Sequence, residues 1–368
     1  MSLVMSARSS TQKSSNRSTP PTKVDWIGPS STRASGNFLG FTVAGERARL
    51  ALGRRVQLAK EAQTKIHWGS PFTLAEPQKG KFNVCYTMYE NFSLPKTAVE
   101  VVDKFDLVVV PSLWCKKVFA RYTSKPIEVC PLGVDPKDFP YRRRRLRAGK
   151  KFRFLYLGAP NPRKFTILPE LHRVLLSQLP DSELYLKTTG GSLASAAPLI
   201  ANGIAESDGD IVRGDGWVVD NRKLPQKDLL SLYHSANAFL LLTCGEGFGL
   251  TGLEALSTGL PLIVSDWSGV TEYANSRNAM MVRCNYGDHR DKFVQMGFDG
   301  ERPVEEEPFA FHVGWPDLQS AAAAAHMVYS NYPSALKKAR RGAEMAAQFS
   351  WDSTARGLCD ILKKYGIL

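Results

Sequence analysis

Two glutamates with seven residues between them, Glu246 and Glu254, lie in a glycine-rich stretch that reads CGEGFGLTGLEALSTG. Apolar runs precede and follow this stretch, a pattern typical of strand, turn, helix and strand in succession. The first amides of a helix have no intrahelical acceptor and lie at the positive end of the helix dipole. We therefore expect an anion site, suited to a phosphate, where the helix begins near Leu250.

The carboxylates on either side of this predicted anion site are suited to bind hydroxyl groups. Glu254, about one turn into the helix, can accept hydrogen bonds from two neighbouring hydroxyls, as an acidic residue does for ribose in dinucleotide sites. Glu246, before the turn, can bind a second polyol. For either glutamate alone, a helix cap or an exposed side chain is the simpler explanation. For the pair, a nucleotide sugar is favoured, bound by Glu246, Gly247, Phe248, Gly249, Leu250, Thr251 and Glu254.

Strand and helix patterns alternate through both halves of the chain. This alternation predicts an α/β protein with two doubly wound, Rossmann-like domains. Ser112 is predicted to cap the helix LWCKKVFARY, Gly259 to end the helix that begins near Leu250, and DIVRGDGWV to form one strand. We predict a disordered basic tail over residues 1–22 and an N-terminal domain over 23–140. A basic linker over 141–151 then leads to a C-terminal domain over 152–345, and a C-terminal helix follows over 346–368.

The stretch EGFGLTGLEALSTGLP resembles the signature of the retaining GT-B glycosyltransferases of family four, in which seven residues separate two glutamates. Other segments along nearly the whole folded chain also resemble this family: YTMYENFSLP, DLVVVPSLWCKKVF, CPLGVD, FRFLYLGAPNPRK, LPQKDLLSLYHSANAFLLLT and FSWDSTARGLCDIL. The resemblance implies a central cleft between an acceptor domain and a donor domain, and a closing helix that returns to the N-terminal domain. It also implies sugar transfer from a nucleotide donor with retained anomeric configuration and without a metal ion or other cofactor.

Without a metal ion, protein cations must stabilise the departing diphosphate. Arg163 and Lys164 follow the first strand of the second domain, in a loop where the family carries a basic pair that binds the diphosphate. Lys164 matches the family pattern. Ala159 stands where some members carry an arginine, so we expect Arg163 to take that part.

The N-terminal domain is expected to contribute two further groups. SGNF resembles the family's glycine loop, which assigns Gly36 to the donor site. Many members place a histidine near the reacting sugar, whereas Glu90 occupies the comparable loop here and His67 is a weaker candidate. We predict Glu246, Lys164, Arg163 and Glu90 as catalytic residues. The base is expected near GWVVDNR, with UDP and GDP sugars both open as donors.

The net charge of +13 is concentrated in two places, the tail through Lys23 and the segment from Tyr141 to Arg153. A basic cluster can contact nucleic acid or an anionic membrane surface, or simply connect two domains in solvent. The candidate contacts are Arg142, Arg143, Arg144 and Arg145. A sugar transferase acting on nucleic acid and a non-catalytic nucleic-acid-binding protein therefore remain alternatives, and the acceptor can be a glycan, lipid, protein or DNA.

The six cysteines form no CxxC pair, and the cysteines and histidines show no metal-ligand spacing. Asp208 and Asp210 match the Asp-x-Asp metal motif of the other major glycosyltransferase fold, but their context is rich in turn residues and favours a turn. The first 22 residues lack the apolar core of a secretory signal. We expect a cytoplasmic protein with reduced thiols, either free or at the membrane periphery.

Overall fold

The computed structural model describes residues 22–28, 39–146, 149–159, 162–188, 206–208, 210–295 and 311–368. Within these residues, the chain forms two α/β lobes, each built on its own mainly parallel sheet. The six cysteines are unpaired thiols. None of the described helices has the length and apolar character that crossing a membrane requires.

The N-terminal lobe is built on a six-stranded sheet of order β2-β1-β3-β4-β5-β6, in which every neighbouring pair is parallel. Its elements are β1 (Lys23–Ile27), α1 (Leu39–Leu52), β2 (Gln57–Leu58), β3 (Thr64–Trp68), β4 (Phe82–Tyr86), α2 (Lys96–Val102), β5 (Leu107–Val110), α3 (Leu113–Phe119) and β6 (Ile127–Val129). The predicted cap is confirmed, because the hydroxyl of Ser112 accepts a hydrogen bond from the amide of Cys115 at 3.1 Å.

The C-terminal lobe is built on an eight-stranded sheet of order β14-β13-β12-β7-β8-β11-β10-β9 and a two-stranded ribbon, β15-β16. Its strands are β7 (Phe152–Leu157), β8 (Ser182–Lys187), β9 (Glu206–Asp208), β10 (Ile211–Gly214), β11 (Trp217–Asp220), β12 (Ala238–Leu241), β13 (Leu262–Ser265), β14 (Met280–Val282), β15 (Cys284–Asp288) and β16 (His312–Pro316). The prediction of one strand for DIVRGDGWV is wrong. It forms the antiparallel strands β10 and β11, because the chain reverses at Asp215 and Gly216, where Gly216 has φ of 68°.

Helices cover both faces of this second sheet and continue beyond it. They are α4 (Pro162–Phe165), α5 (Leu168–Gln178), α6 (Gln226–Ser235), α7 (Leu250–Ser257), the 3₁₀-helix Ser268–Glu272, α8 (Arg290–Gln295), α9 (Leu318–Ser330), α10 (Tyr332–Ala346) and α11 (Trp351–Lys364). Gly259, with φ of 72°, ends α7 as predicted.

The final helix, α11, packs against α1 of the N-terminal lobe. Asp352 at its start forms an ion pair with Arg55 at 2.7 Å, and Lys364 at its end forms one with Glu128 at 2.5 Å. Between them, the hydroxyl of Thr354 donates a hydrogen bond to the carbonyl oxygen of Pro131 at 2.9 Å. The chain therefore crosses between the lobes twice, once before β7 and once before α11.

Candidate active site

The topological switch of the C-terminal sheet lies between β7 and β12. From β7 the sheet extends through β8 to one edge, whereas β12, on the other side of β7, leads through β13 to the opposite edge. Loops that follow neighbouring parallel strands at such a point diverge and leave a crevice. Arg163 and Lys164 lie after β7, in α4, and Glu246 lies after β12. The fold therefore brings these three predicted residues to one crevice.

Lys164 and Glu246 form an ion pair in this crevice. Nζ of Lys164 lies 3.0 Å from Oε1 of Glu246, and the side chains are only 19% and 8% exposed. The two loops are also joined through their backbones, because the amide of Cys244 donates a hydrogen bond to the carbonyl oxygen of Arg163 at 3.0 Å. A partly buried pair is screened little by salt, so its charges act strongly on anything bound beside it.

Glu90 reaches the same cations from the N-terminal lobe, in the loop after β4. Its carboxylate contacts the guanidinium of Arg163, and Oε1 of Glu90 lies 3.8 Å from Nζ of Lys164. Burial lowers the pKa of the Arg163 guanidinium, an effect that the charge of Glu246 opposes. The four residues predicted to be catalytic thus form one cluster of alternating charge between the lobes.

Helix α7 begins beside this cluster. Its N-cap is Gly249, which has the left-handed φ of 78° and offers no side chain to bond the first amides. Because the first amides of a helix lack intrahelical acceptors, those of Leu250 and Thr251 are available to an anion. The predicted phosphate site therefore has a helix start and a cation within one crevice.

The N-terminal lobe leaves no room for a side chain at residue 245, which is a glycine. A β-carbon at this position would lie 2.0 Å from the carbonyl oxygen of Glu90. The next glycine, Gly247, accepts a hydrogen bond at its carbonyl oxygen from the hydroxyl of Ser112 at 2.8 Å. These glycines therefore also allow the N-terminal lobe to pack against this backbone.

Glu254 has a different environment on α7. Its Oε2 accepts a hydrogen bond from the hydroxyl of Tyr233 at 2.7 Å. Burial raises the pKa of Glu254 to about 7, although the Tyr233 hydrogen bond and the charge of Arg47 oppose this shift. Arg47 belongs to α1, so Glu254 also faces the N-terminal lobe.

Tyr273 links the two glutamates electrostatically. Its hydroxyl donates a hydrogen bond to the carbonyl oxygen of Gly249 at 2.5 Å, directly beneath the start of α7. Burial raises the pKa of Tyr273, and the negative charges of Glu246 and Glu254 add to that rise. Both carboxylates therefore lie around the same helix start.

The C-terminal half of this arrangement matches a known family model. Residues 219–358 match the model described as "Family 4 Glycosyltransferase in conflict systems". An O-antigen chain mannosyltransferase B from Escherichia coli is 35% identical over 82 residues, which is 20% of this chain and 22% of that protein. A D-inositol 3-phosphate glycosyltransferase from Corynebacterium urealyticum is 23% identical over 200 residues, which is 54% of this chain and 39% of that protein. The chain thus spans less than half the length of either relative.

Solved structures match the fold over both lobes. The crystal structure of Anabaena HepE in complex with UDP and glucose superposes with a TM-score of 0.61 at 11% identity, covering 93% of this chain and 100% of that chain. A sucrose-phosphate synthase from Thermosynechococcus elongatus superposes with a TM-score of 0.57 at 17% identity, covering 78% of this chain and 69% of that chain. Residues 219–358 are thus similar to family-four glycosyltransferases. The two Rossmann-like lobes of the chain are those of the GT-B fold.

Phe248 and His67 are not part of the charged cluster. Gly36 lies outside the described residues. The ring of Phe248 is 1% exposed and packs edge-on to Tyr273, so only its backbone can meet a donor. His67 is buried against Phe105 and bonded to Asn83 at 3.1 Å, and burial lowers its pKa. It is a core residue of the N-terminal lobe, and none of its described contacts reaches the cluster.

The linker lies away from the cleft, and its four arginines are not equivalent. The guanidinium of Arg144 donates hydrogen bonds to the carbonyl oxygens of Ala236 at 2.9 Å, Gly259 at 3.0 Å and Thr258 at 3.3 Å. Burial lowers its pKa to about 10. Ala236 and Gly259 precede β12 and β13, so the linker passes the amino ends of these strands, opposite the cleft. The expectation that Arg144 contacts an anionic surface is therefore corrected, whereas Arg142, Arg143 and Arg145 are exposed.

The segment predicted to lie near the base forms β11 and its carboxyl end. Lys187 on the neighbouring β8 is 2% exposed, and its Nζ donates hydrogen bonds to the carbonyl oxygens of Thr188 at 2.6 Å, Asp220 at 3.1 Å and Arg222 at 2.5 Å. The carboxylate of Asp220 accepts hydrogen bonds from Arg222 and Tyr185. These groups already have protein partners, so they fix the loop after β11.

The Asp-x-Asp match lies in the edge hairpin, where Asp208 ends β9 and Asp210 directly precedes β10. These strands pair antiparallel, with Asp208 opposite Ile211. Within the described part of the chain, no group of three His, Cys, Asp or Glu side chains is placed to hold a metal ion.

Sequence reasoning missed three residues that hold this GT-B site together. Ser112 was predicted as a cap but also bonds the glycine turn of the opposite lobe. Ser268 accepts a hydrogen bond from the amide of Glu246 at 2.9 Å and has φ of 71°, which is rare for a residue with a side chain. Tyr233 holds Glu254. No pattern in the sequence marks these pairings, because each joins residues far apart in the chain.

Proposed function

We propose that this chain is a retaining glycosyltransferase that moves a hexose from a nucleoside-diphosphate sugar to an acceptor without a metal ion. One observation carries the proposal. The ion pair of Lys164 and Glu246 lies at the topological switch, beside the uncapped start of α7. A cation, a carboxylate and free helix amides in one crevice are the groups that a sugar diphosphate requires.

The cations and the helix start act on the leaving group. When the bond between the sugar and the diphosphate breaks, negative charge develops on the departing oxygen. Lys164, Arg163 and the amides of Leu250 and Thr251 supply fixed positive charge to that oxygen and to the diphosphate. Since these groups are held by the fold, they need little rearrangement during the reaction.

Glu246 is proposed to hold the hydroxyls of the transferred sugar. The acceptor oxygen attacks the anomeric carbon from the face that the diphosphate leaves, so the configuration is retained. In this step a carbon–oxygen bond to the acceptor forms and the bond to the diphosphate breaks. The acceptor's proton passes to an oxygen of the departing phosphate, which balances the exchange.

Glu254 and the end of β11 are proposed to hold the nucleoside. Glu254 accepts hydrogen bonds from the ribose hydroxyls, and the base lies near residues 217–222. The proposed donor class agrees with the UDP present in the structure of Anabaena HepE. Both UDP and GDP sugars remain candidates for this chain.

A thermal-shift panel of nucleoside diphosphates and their sugars tests the proposal. A ligand that binds only the native state raises the melting temperature with its concentration. We expect one nucleotide series to raise the melting temperature and the Lys164→Ala variant to lose most of that shift. The absence of a shift with every member of the panel would contradict the proposed function.

A nucleic-acid acceptor is the second candidate, favoured by the exposed Arg142, Arg143 and Arg145. Phosphate contacts by arginine release counterions, so such binding weakens steeply as salt rises. Because the linker lies opposite the cleft, this surface would hold a polyanion outside the reaction site. Replacing the three exposed arginines with alanine should abolish DNA binding if this candidate is right. DNA binding that is equal in the variant would remove it.

A further inference from the structure

Glu90 belongs to the N-terminal lobe, but its carboxylate is bound by two cations of the C-terminal lobe. It contacts the guanidinium of Arg163 and lies 3.8 Å from Nζ of Lys164. Its side chain is 23% exposed. The backbone is also fixed, because the carbonyl oxygen of Glu90 would lie 2.0 Å from any β-carbon at residue 245. Glu90 is therefore held where it meets both cations.

The cations and carboxylates of this cluster are balanced. Arg163 and Lys164 contribute two positive charges, and Glu90 and Glu246 contribute two negative charges. The proposed diphosphate would add negative charge beside the same cations. Two anions that share one pair of cations repel each other, and the repulsion is strong where solvent is largely excluded.

We propose that Glu90 is an internal counter-ion that competes with the diphosphate for Arg163 and Lys164, and thereby favours release of the nucleoside diphosphate product. This inference rests on the proposed function and assigns a positioning role to Glu90. At neutral pH a free terminal phosphate carries about one half to one more negative charge than a phosphate diester, which the donor's sugar phosphate resembles. The competition therefore weakens the binding of the product more than that of the donor.

The competition also connects binding to the arrangement of the lobes. The contact between Glu90 and Arg163 joins the N-terminal lobe to the C-terminal lobe. A diphosphate that takes over Arg163 replaces this interlobe contact with one to the ligand. The guanidinium of Arg163 thus binds either the product diphosphate or the carboxylate of Glu90.

Two other roles for Glu90 predict different behaviour. If its carboxylate took the acceptor's proton, Glu90→Gln would stop turnover and leave the affinity for nucleoside diphosphate unchanged. If it only supported the structure, the variant would bind nucleoside diphosphate more weakly. Of the three roles, only competition predicts a gain in affinity, because it is the one in which the native carboxylate repels the diphosphate from the cations.

Isothermal titration calorimetry with UDP, GDP, uridine and guanosine separates these roles. We expect Glu90→Gln to bind the preferred nucleoside diphosphate roughly tenfold more tightly than the wild type, since one full charge is removed near the cations. The uncharged nucleoside should bind both proteins equally. Glu90→Ala, which also lacks the charge, should show the same gain and serves if the glutamine variant folds poorly.

Glu272→Gln is the matched control. Glu272 is a carboxylate of the C-terminal lobe that also reaches across the cleft, where it accepts a hydrogen bond from the amide of Leu113 at 2.8 Å. Its replacement removes the same charge without touching the two cations, so the affinity should stay at the wild-type value. An equal or weaker affinity in both Glu90 variants would overturn the inference. Failure of wild type and variants alike to bind any nucleoside diphosphate would instead overturn the proposed function.

Discussion

Glu246 and Glu254 have the same chemistry and belong to the same motif, but their surroundings differ. Glu246 pairs with the cation Lys164 at 3.0 Å, in a cluster that includes residues of both lobes. Glu254 has an uncharged partner, the hydroxyl of Tyr233 at 2.7 Å, and burial raises its pKa to about 7. One carboxylate is held beside fixed charge, whereas the other can change its charge near neutral pH.

This difference assigns different tasks to the two carboxylates. A residue next to the leaving group must act together with the cation that stabilises that group. A residue that only holds ribose hydroxyls needs no cation, and a neutral partner suffices to position it. We therefore expect disturbance near Glu246 to affect the reaction, and disturbance of Glu254 to affect binding and pH dependence.

The largest expected effect comes from removing the cation of Glu246. Lys164→Ala should reduce turnover of the donor by roughly 10²–10³-fold, which is the usual loss when one group that stabilises developing charge is removed. The measurement is the rate at which nucleoside diphosphate is released from the sugar donor that gives the largest thermal shift. Lys104→Ala is the control, because Lys104 also pairs with a glutamate, Glu76, at 2.8 Å but on the surface. Turnover that is equal in both variants would remove Lys164 from the mechanism.

The second effect tests whether the Glu246 loop depends on the opposite lobe. Gly245→Ala places a β-carbon 2.0 Å from the carbonyl oxygen of Glu90, and overpacking of this kind costs about 1–3 kcal/mol of unfolding free energy. Chemical denaturation measures the change. Gly40→Ala is the control, since a β-carbon there meets no atom within 4 Å. Equal stability of the two variants would show that the lobes do not press together at this loop.

The smallest effect concerns the charge of Glu254. Its pKa is about 7 in the fold against an ordinary 4.5, so the folded protein binds more protons than the unfolded chain between these values. The extra bound proton on Glu254 therefore stabilises the fold fully below the ordinary pKa of 4.5, and this stabilisation is lost as pH rises through the folded-state pKa of about 7. Relative to Glu254→Gln, the wild type should lose about 1–2 kcal/mol of unfolding free energy between pH 5 and pH 8.

Chemical denaturation at several pH values measures this difference. Glu76→Gln, which removes an exposed carboxylate, is the control for a change of charge elsewhere. If the wild type and Glu254→Gln show parallel pH profiles, the carboxylate is not held in the environment that distinguishes it from Glu246.

The sequence predicted well those elements whose cause is local. The hydroxyl of Ser112 and the glycine after α7 each act within a few residues, and both appear as expected. The hairpin of β10 and β11 was missed although its turn carries Asp215 and Gly216, a common hairpin signal. The prediction of one strand joined two apolar pairs, Ile211–Val212 and Trp217–Val218, across that turn.

Strand β3 was not predicted, because Lys65 and His67 break its apolar pattern. Both side chains are nevertheless buried, with Lys65 paired to Asp25 at 3.1 Å on the neighbouring β1 and His67 bonded to Asn83. Their partners come from other parts of the chain, so the burial of these polar groups depends on the tertiary structure.

At the candidate site, too, local features could be predicted from the sequence and contacts between distant residues could not. The glycine turn and the helix start were readable from spacing, and the family resemblance added Lys164 and Arg163. The contact of Glu90 with these cations joins two lobes and could not be derived from spacing. Arg144 likewise donates hydrogen bonds to carbonyl oxygens of the second lobe and does not contact an anionic surface. Its partners are set by where the linker meets that lobe, which the sequence does not show.

The central claim is that the crevice between β7 and β12 holds the diphosphate of the donor. A crystal structure with the nucleoside diphosphate that most stabilises the protein tests it most directly. We predict phosphate oxygens within hydrogen-bonding distance of Nζ of Lys164 and of the amides of Leu250 and Thr251. A diphosphate bound elsewhere, with Lys164 and Glu246 still paired and out of its reach, would contradict the account.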